Sequence, residues 1–130
     1  MKISPPPYFN ELKDIRAALE ADKESYPYNY CSHASRVVNL ILGLREVAGS
    51  FTFKYYYGSP TDTIHREWHA WNYDPERELY VDLTADQFGD LPKIFVTKKS
   101  SQTRYQESRK ETVEQAGYRL ELASVLRACA

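Results

Sequence analysis

The sequence predicts an α+β domain in which an antiparallel sheet of about four strands packs against an N-terminal helix pair and a C-terminal helix. Three observations carry that expectation. Apolar residues recur at helical spacing before residue 50, the period drops to two at "FTFKYYYG", and helical spacing returns after Glu107. At 130 residues the chain suits one domain, 1–130, long enough to close a single hydrophobic core.

The first helix is expected over Phe9 to Ala21, where Phe9, Leu12, Ile15 and Leu19 form a stripe and the charged residues suit an exposed opposite face. Pro27 punctuates "DKESYPYNYCSHAS". A second helix then starts close to Cys31 and carries Ala34, Val37, Val38, Ile41, Leu42 and Leu44, a broad apolar stripe ending near Gly49. Strands are expected at "FTFKYYYG", at about Glu67 to Tyr73 and Glu78 to Leu83, and, shorter, at Ile94 to Thr97. Val113, Ala116, Leu120, Ala123, Val125 and Leu126 predict the final helix despite Gly117. There are no internal repeats. This order of elements predicts a sheet packed on the Cys31 helix.

Composition narrows the function classes. Apolar residues make up 42% of the chain, with 11 Tyr against 5 Phe and 2 Trp, as in a folded globular protein. A formal charge of −1 supplies no field that would make nucleic acid or an anionic membrane the main partner, and the basic segment from Lys93 to Lys110 reads as a solvated face. No run approaches the ~20 apolar residues of a membrane span. The start "MKISPPPYFNELKD" places prolines where a signal peptide has its apolar stretch, so a cytoplasmic chain is expected. Two cysteines, Cys31 and Cys129, are too few for a disulfide scaffold and are expected as free thiols.

The stretch "REWHAWNYDPERELYVDLTADQF" carries the first candidate chemistry. If Asp74 to Arg77 forms a four-residue connection, Tyr73 pairs with Glu78, Trp71 faces Tyr80, Ala70 faces Val81, and His69 faces Asp82. His69, Trp71, Tyr73, Tyr80 and Asp82 then share one face of the sheet. Direct cross-strand partners have Cβ atoms ~5 Å apart, close enough for a carboxylate to accept a hydrogen bond from an imidazole. Such a carboxylate orients the ring and stabilises the imidazolium. The plainer reading is a cross-strand charge pair, and a slip of one residue would separate the two groups.

Cys31 lies where "YPYNY" gives way to the apolar helix, near the unsatisfied amides and the positive end of the helix dipole. That setting, like a neighbouring imidazolium, favours the thiolate, the nucleophilic form. Taken alone, a cysteine is more often an inert, buried small hydrophobe. A helix-start Cys, a strand His and an Asp on the next strand support one another as a set.

"YCSHASRVVNLIL", "HAW" and "YVDLTADQF" together resemble the papain-like and transglutaminase-like cysteine enzymes, whose Cys, His and Asp follow in that chain order. Within that superfamily the chain is similar to small bacterial domains reading C-x-x-A-S, H-A-W and D-x-T-A-D-Q-F, over residues ~28–97. The resemblance implies a papain-like core with Cys31 as nucleophile, His69 as general base and acid, and Asp82 as orienting carboxylate. Papain-type enzymes place a glutamine several residues before the cysteine, and Ser25 at that offset does not match. The Cys31 amide can supply one oxyanion donor, with Asn29, Tyr28 or Tyr30 as candidates for another. Gln87 is a further candidate near the site, with bonding of loop backbone as its structural alternative. Trp71, by its face, is the candidate wall of the site, and Trp68 then fills core.

These residues imply a thiol-dependent hydrolase or acyl-transfer enzyme acting on an amide, a peptide bond or a Gln or Asn side chain, without a cofactor and with a peptide or protein substrate. The superfamily also leaves open a non-catalytic peptide-binding or protein-binding module and a toxin or effector deamidase. His65, His69 and Cys31 could be read as zinc ligands, but "HREWH" lacks the glutamate placement of a helical H-E-x-x-H site, so no metal is expected. His33 points away from Cys31 along the helix and reads as surface or satisfied core. Tyr55 to Tyr57 read as packing before cleft, and Cys129 as incidental.

Overall fold

A computed structural model describes residues 4–22, 26–27, 30–56 and 59–108. The tail expected as the final helix lies outside the described residues, as do Tyr28, Asn29 and the side chains of Tyr55, Tyr56 and Tyr57.

Among the described residues the architecture is α+β, with two helices and a five-stranded antiparallel sheet. Helix α1 spans Phe9–Asp22 and α2 spans Cys31–Leu42. The strands are β1 (Arg45–Tyr56), β2 (Ser59–Asp74), β3 (Leu79–Asp82), β4 (Phe95–Lys98) and β5 (Tyr105–Glu107), in the order β4-β3-β2-β1-β5. A short 3-10 turn at Ala85–Phe88 follows β3, and a second at Lys99–Ser101 follows β4.

Three expectations change. Helix α2 stops at Gly43 rather than near Gly49, because Gly43 adopts φ 74 and its N–H returns to the Asn39 carbonyl at 2.8 Å. Leu44, which continued the helical stripe on paper, therefore precedes an extended strand in which Val47, Phe51 and Phe53 line one face. The stripe of α1 contains a charge, since Arg16 is only 5% exposed alongside Leu12, Ile15 and Leu19. The segment read as a solvated basic face holds β5, whose Tyr105 is buried.

The sheet buries both faces. On one, Val81 and Leu83 pack with Leu12, Ile15, Leu19, Val37 and Val38 of the helices. Two polar contacts tie α2 to β2 there: Ser35 Oγ donates to the Trp71 carbonyl at 2.9 Å, and Asn72 Nδ2 donates to the Ser35 carbonyl at 3.0 Å. On the other face Val47, Phe51, Phe53, Trp71, Tyr73, Tyr80, Phe88 and Tyr105 form an aromatic core. Flat, β4 and β5 would lie about 19 Å apart, four strand spacings. Yet Phe95 of β4 and Tyr105 of β5, on opposite edges, stack with ring centroids 6.3 Å apart, so the sheet curls over this core.

Gly49 makes the curl possible at its β5 end. It pairs with His69 on one side and Glu107 on the other, and a Cβ there would stand 1.9 Å from the Gln106 carbonyl oxygen. That neighbour is backbone, so it can yield only if β5 moves. Gly49→Ala is expected to destabilise the protein by about 1–3 kcal/mol, the usual cost of overpacking. Urea denaturation checks it, and a midpoint equal to wild type would mean that β5 is not held this closely.

Candidate active site

The β2–β3 hairpin differs in register from its expected form by two residues. Tyr73 pairs with Tyr80 and Asn72 with Val81, leaving Pro75 to Glu78 as the connection. The turn chemistry explains the choice: Asp74 Oδ1 accepts the Arg77 N–H at 3.2 Å, and Glu78 closes the turn at φ 55. A slip of two preserves the face on which every side chain lies. His69 and Asp82 therefore still share a face but sit diagonally, a separation long side chains can span. They do: His69 Nε2 and Asp82 Oδ2 are 2.6 Å apart, both residues almost fully buried.

Asp82 is held by donors on both oxygens. Oδ2 also accepts the Tyr105 hydroxyl at 2.6 Å, while Oδ1 accepts the Thr84 N–H at 2.9 Å and its hydroxyl at 3.2 Å. Burial by itself would raise this carboxyl, but the His69 charge and hydrogen bond, with Tyr105 and Thr84, hold it below the usual carboxylate range. Burial likewise would lower His69. The Asp82 charge and hydrogen bond outweigh it and, with a smaller push from Cys31, raise the imidazole from 6.5 to about 10. The pair is thus an imidazolium and a carboxylate, walled by Phe51, Phe88 and Trp71.

Cys31 opens α2. Tyr30 at the N-cap makes no side-chain capping bond, and the first helical bond runs from the Ala34 N–H to the Tyr30 carbonyl. The sulfur thus stands at a helix start not capped by a side chain, half-buried and packed against the Ala48 and Ala70 pair. It lies close enough to the His69 ring to favour the imidazolium, though less than Asp82 does. Nε2 of that ring is committed to Asp82.

The remaining expected residues fall elsewhere. Trp71 is 1% exposed and stacks on His69 from within the aromatic core, so it supports the ring and cannot wall an open cleft. Trp68, expected as core, is the half-buried tryptophan and packs against the same Ala48 and Ala70 pair as Cys31, on the helix side of the sheet. The Tyr30 ring packs on Tyr26 and edge-on to His33, which is itself buried. Gln87 closes the 3-10 turn through its N–H to Thr84, but the side chain tying this loop to the helices is Asp86, gripped by Arg16. His65 stacks on Phe53, about 13 Å along the strand from His69 at the usual rise.

Sequence reasoning missed Thr84 and Tyr105. Thr84 had a signal, the D-x-T spacing that lets a carboxylate accept the amide two residues on. Tyr105 had none, lying among basic residues on a three-residue strand. Comparison with protein-family models, curated proteins and solved structures finds no match for this chain.

Proposed function

We propose that this protein is a thiol-dependent hydrolase or acyl-transfer enzyme acting on amides through Cys31, His69 and Asp82, on a papain-like or transglutaminase-like core. The observation that carries the reading is the buried 2.6 Å bond between His69 and Asp82, with the Cys31 sulfur acting on the same ring from a helix start. In this reading the Cys31 thiolate adds to the amide carbon, and the amide of Cys31 offers a hydrogen bond to the developing oxyanion. His69 gives its proton to the departing nitrogen, and the C–N bond breaks to leave a thioacyl enzyme. Water or an amine, deprotonated by His69, then attacks the thioester, and the C–S bond breaks to release the Cys31 thiolate beside the newly protonated His69, as at the start. Asp82 stays ionised throughout and keeps the ring aimed.

Iodoacetamide tests the reading at pH 6 to 7, with Cys129 as the internal reference. Cys31 is expected to alkylate at least about tenfold faster, as an activated thiolate does. Equal rates would remove the nucleophile from the scheme. One observation favours a second reading, a peptide-binding module: a groove of about 400 Å³ beside edge strand β4, lined by Pro5, Pro6, Phe9, Phe95 and Val96 among others. A module of that kind would hold its peptide equally well after Cys31→Ala and show no enhanced thiol reactivity.

A further inference from the structure

We infer that Tyr105 is a positioning residue of this site: from β5 it holds Asp82 Oδ2 aimed at His69 and keeps the carboxylate charged. The inference rests on the reading of Cys31, His69 and Asp82 as the reacting set. One oxygen, Oδ2, takes both the His69 ring and the Tyr105 hydroxyl, each at 2.6 Å. Thr84 binds the other oxygen from only two residues away and moves with Asp82, so it cannot fix the carboxylate relative to β2. Tyr105 can, because its strand is anchored independently.

That anchoring is visible around β5. Gly49 lets the strand lie close to β1. Glu107 accepts the Tyr80 hydroxyl at 2.6 Å and pairs with Lys99 at 3.0 Å, and Arg104 donates to the Thr52 carbonyl and to Asp90. The Tyr105 ring is wedged between Phe51 and Trp71, with centroids 4.7 and 4.8 Å away. Its hydroxyl has little freedom to leave Asp82.

The titratable groups facing Asp82 are His69 of β2, Tyr105 of β5 and Tyr26 ahead of α2, with Arg104 acting on Tyr105 and Cys31 on His69. A hydroxyl donating to a carboxylate favours its charged form, so removing it raises the pH at which Asp82 takes up a proton and the His69 bond is lost. The expected rise is about one to two pH units, the equivalent of one charge-assisted hydrogen bond.

The test is an acid titration followed by NMR, reading the low-field His69 Nε2 proton and the Asp82 carboxyl carbon in wild type, Tyr105→Phe and Tyr73→Phe. Tyr73 is the control, since its ring lies in the same aromatic core but its hydroxyl is not among the groups that bind Asp82 or anchor β5. Tyr105→Phe should move the midpoint upward and Tyr73→Phe should not. Superposable wild-type and Tyr105→Phe curves would overturn the inference, as would an equal shift from Tyr73→Phe. Should Tyr105→Phe not fold, the Tyr105 hydroxyl proton in the wild-type protein decides: a slowly exchanging, low-field resonance that moves together with the Asp82 carboxyl carbon on acid titration bears the inference out, whereas a hydroxyl proton that does not follow Asp82 overturns it. These readings do not involve the thiol. A slow Cys31 in the iodoacetamide assay would thus defeat the enzymatic reading while the Tyr105–Asp82 result stood on its own.

Discussion

Asp82→Ala is expected to destabilise the protein by about 3–5 kcal/mol, the range for breaking a buried ion pair by removing one partner. The size follows from what remains: His69, 1% exposed, would keep its burial and lose the charge that stabilises it. Tyr105 would lose its acceptor too. Asp82→Asn keeps the volume but not the charge and separates packing from electrostatics. Urea denaturation gives the magnitude, and an Asp82→Ala midpoint within error of wild type would show that the pair does not support the fold.

The same pair sets a pH window. His69 is raised in the folded protein to about 10 from 6.5, so its contribution is complete below pH 6.5 and disappears as pH rises through 10. Asp82 is lowered from 3.8, so its contribution is present above that value and disappears as pH falls through the folded pKa. Wild-type stability from this pair is therefore greatest between about pH 4 and 6.5 and declines toward pH 10. In Asp82→Asn the alkaline decline should flatten. The buried tyrosines, raised above 10.0, enter only beyond that window.

Arg16→Met should cost about 3 kcal/mol, although it replaces a buried charge with an apolar chain of similar length. Arg16 donates to the Leu83 carbonyl at 2.8 Å and the Lys93 carbonyl at 3.1 Å, forks onto Asp86 at 2.7 and 2.8 Å, and reaches Glu20 at 2.6 Å. Water can rehydrate Asp86 and Glu20, whose side chains are 19% and 37% exposed, so little of the loss comes from them. The Leu83 carbonyl is less accessible and, among the described residues, would retain the Tyr26 hydroxyl, at 2.6 Å. Arg16→Lys should recover less than half of the loss, because a single ammonium cannot reproduce the planar fork. Thermal unfolding of the two variants beside wild type measures this, and full recovery by lysine would reduce the contact to simple charge.

Local pattern carried much of the site. A helix-start cysteine and two strands with period-two alternation were legible in "YCSHAS", "HAW" and "YVDLTADQF". The shared face of His69 and Asp82 survived an incorrect register because the slip was an even number of residues. Which tryptophan shares the face on which Cys31 packs was not legible, since Trp68 and Trp71 alternate on a sheet that is buried on both faces. Arg16 was equally hidden: helical spacing places it on the apolar stripe, and only the carbonyls and carboxylates of a loop some 70 residues away explain its burial.

By itself the sequence determined the periods of its segments, and with them the element types and the faces on which the imidazole and carboxyl lie. Those properties depend on neighbours within one or two turns or along one strand. The tertiary structure alone decided the pairing of β5 with β1, the curl that brings Tyr105 onto Asp82, and the close approach at Gly49. Such contacts join residues far apart in the chain, and their energy exists only once the sheet has closed.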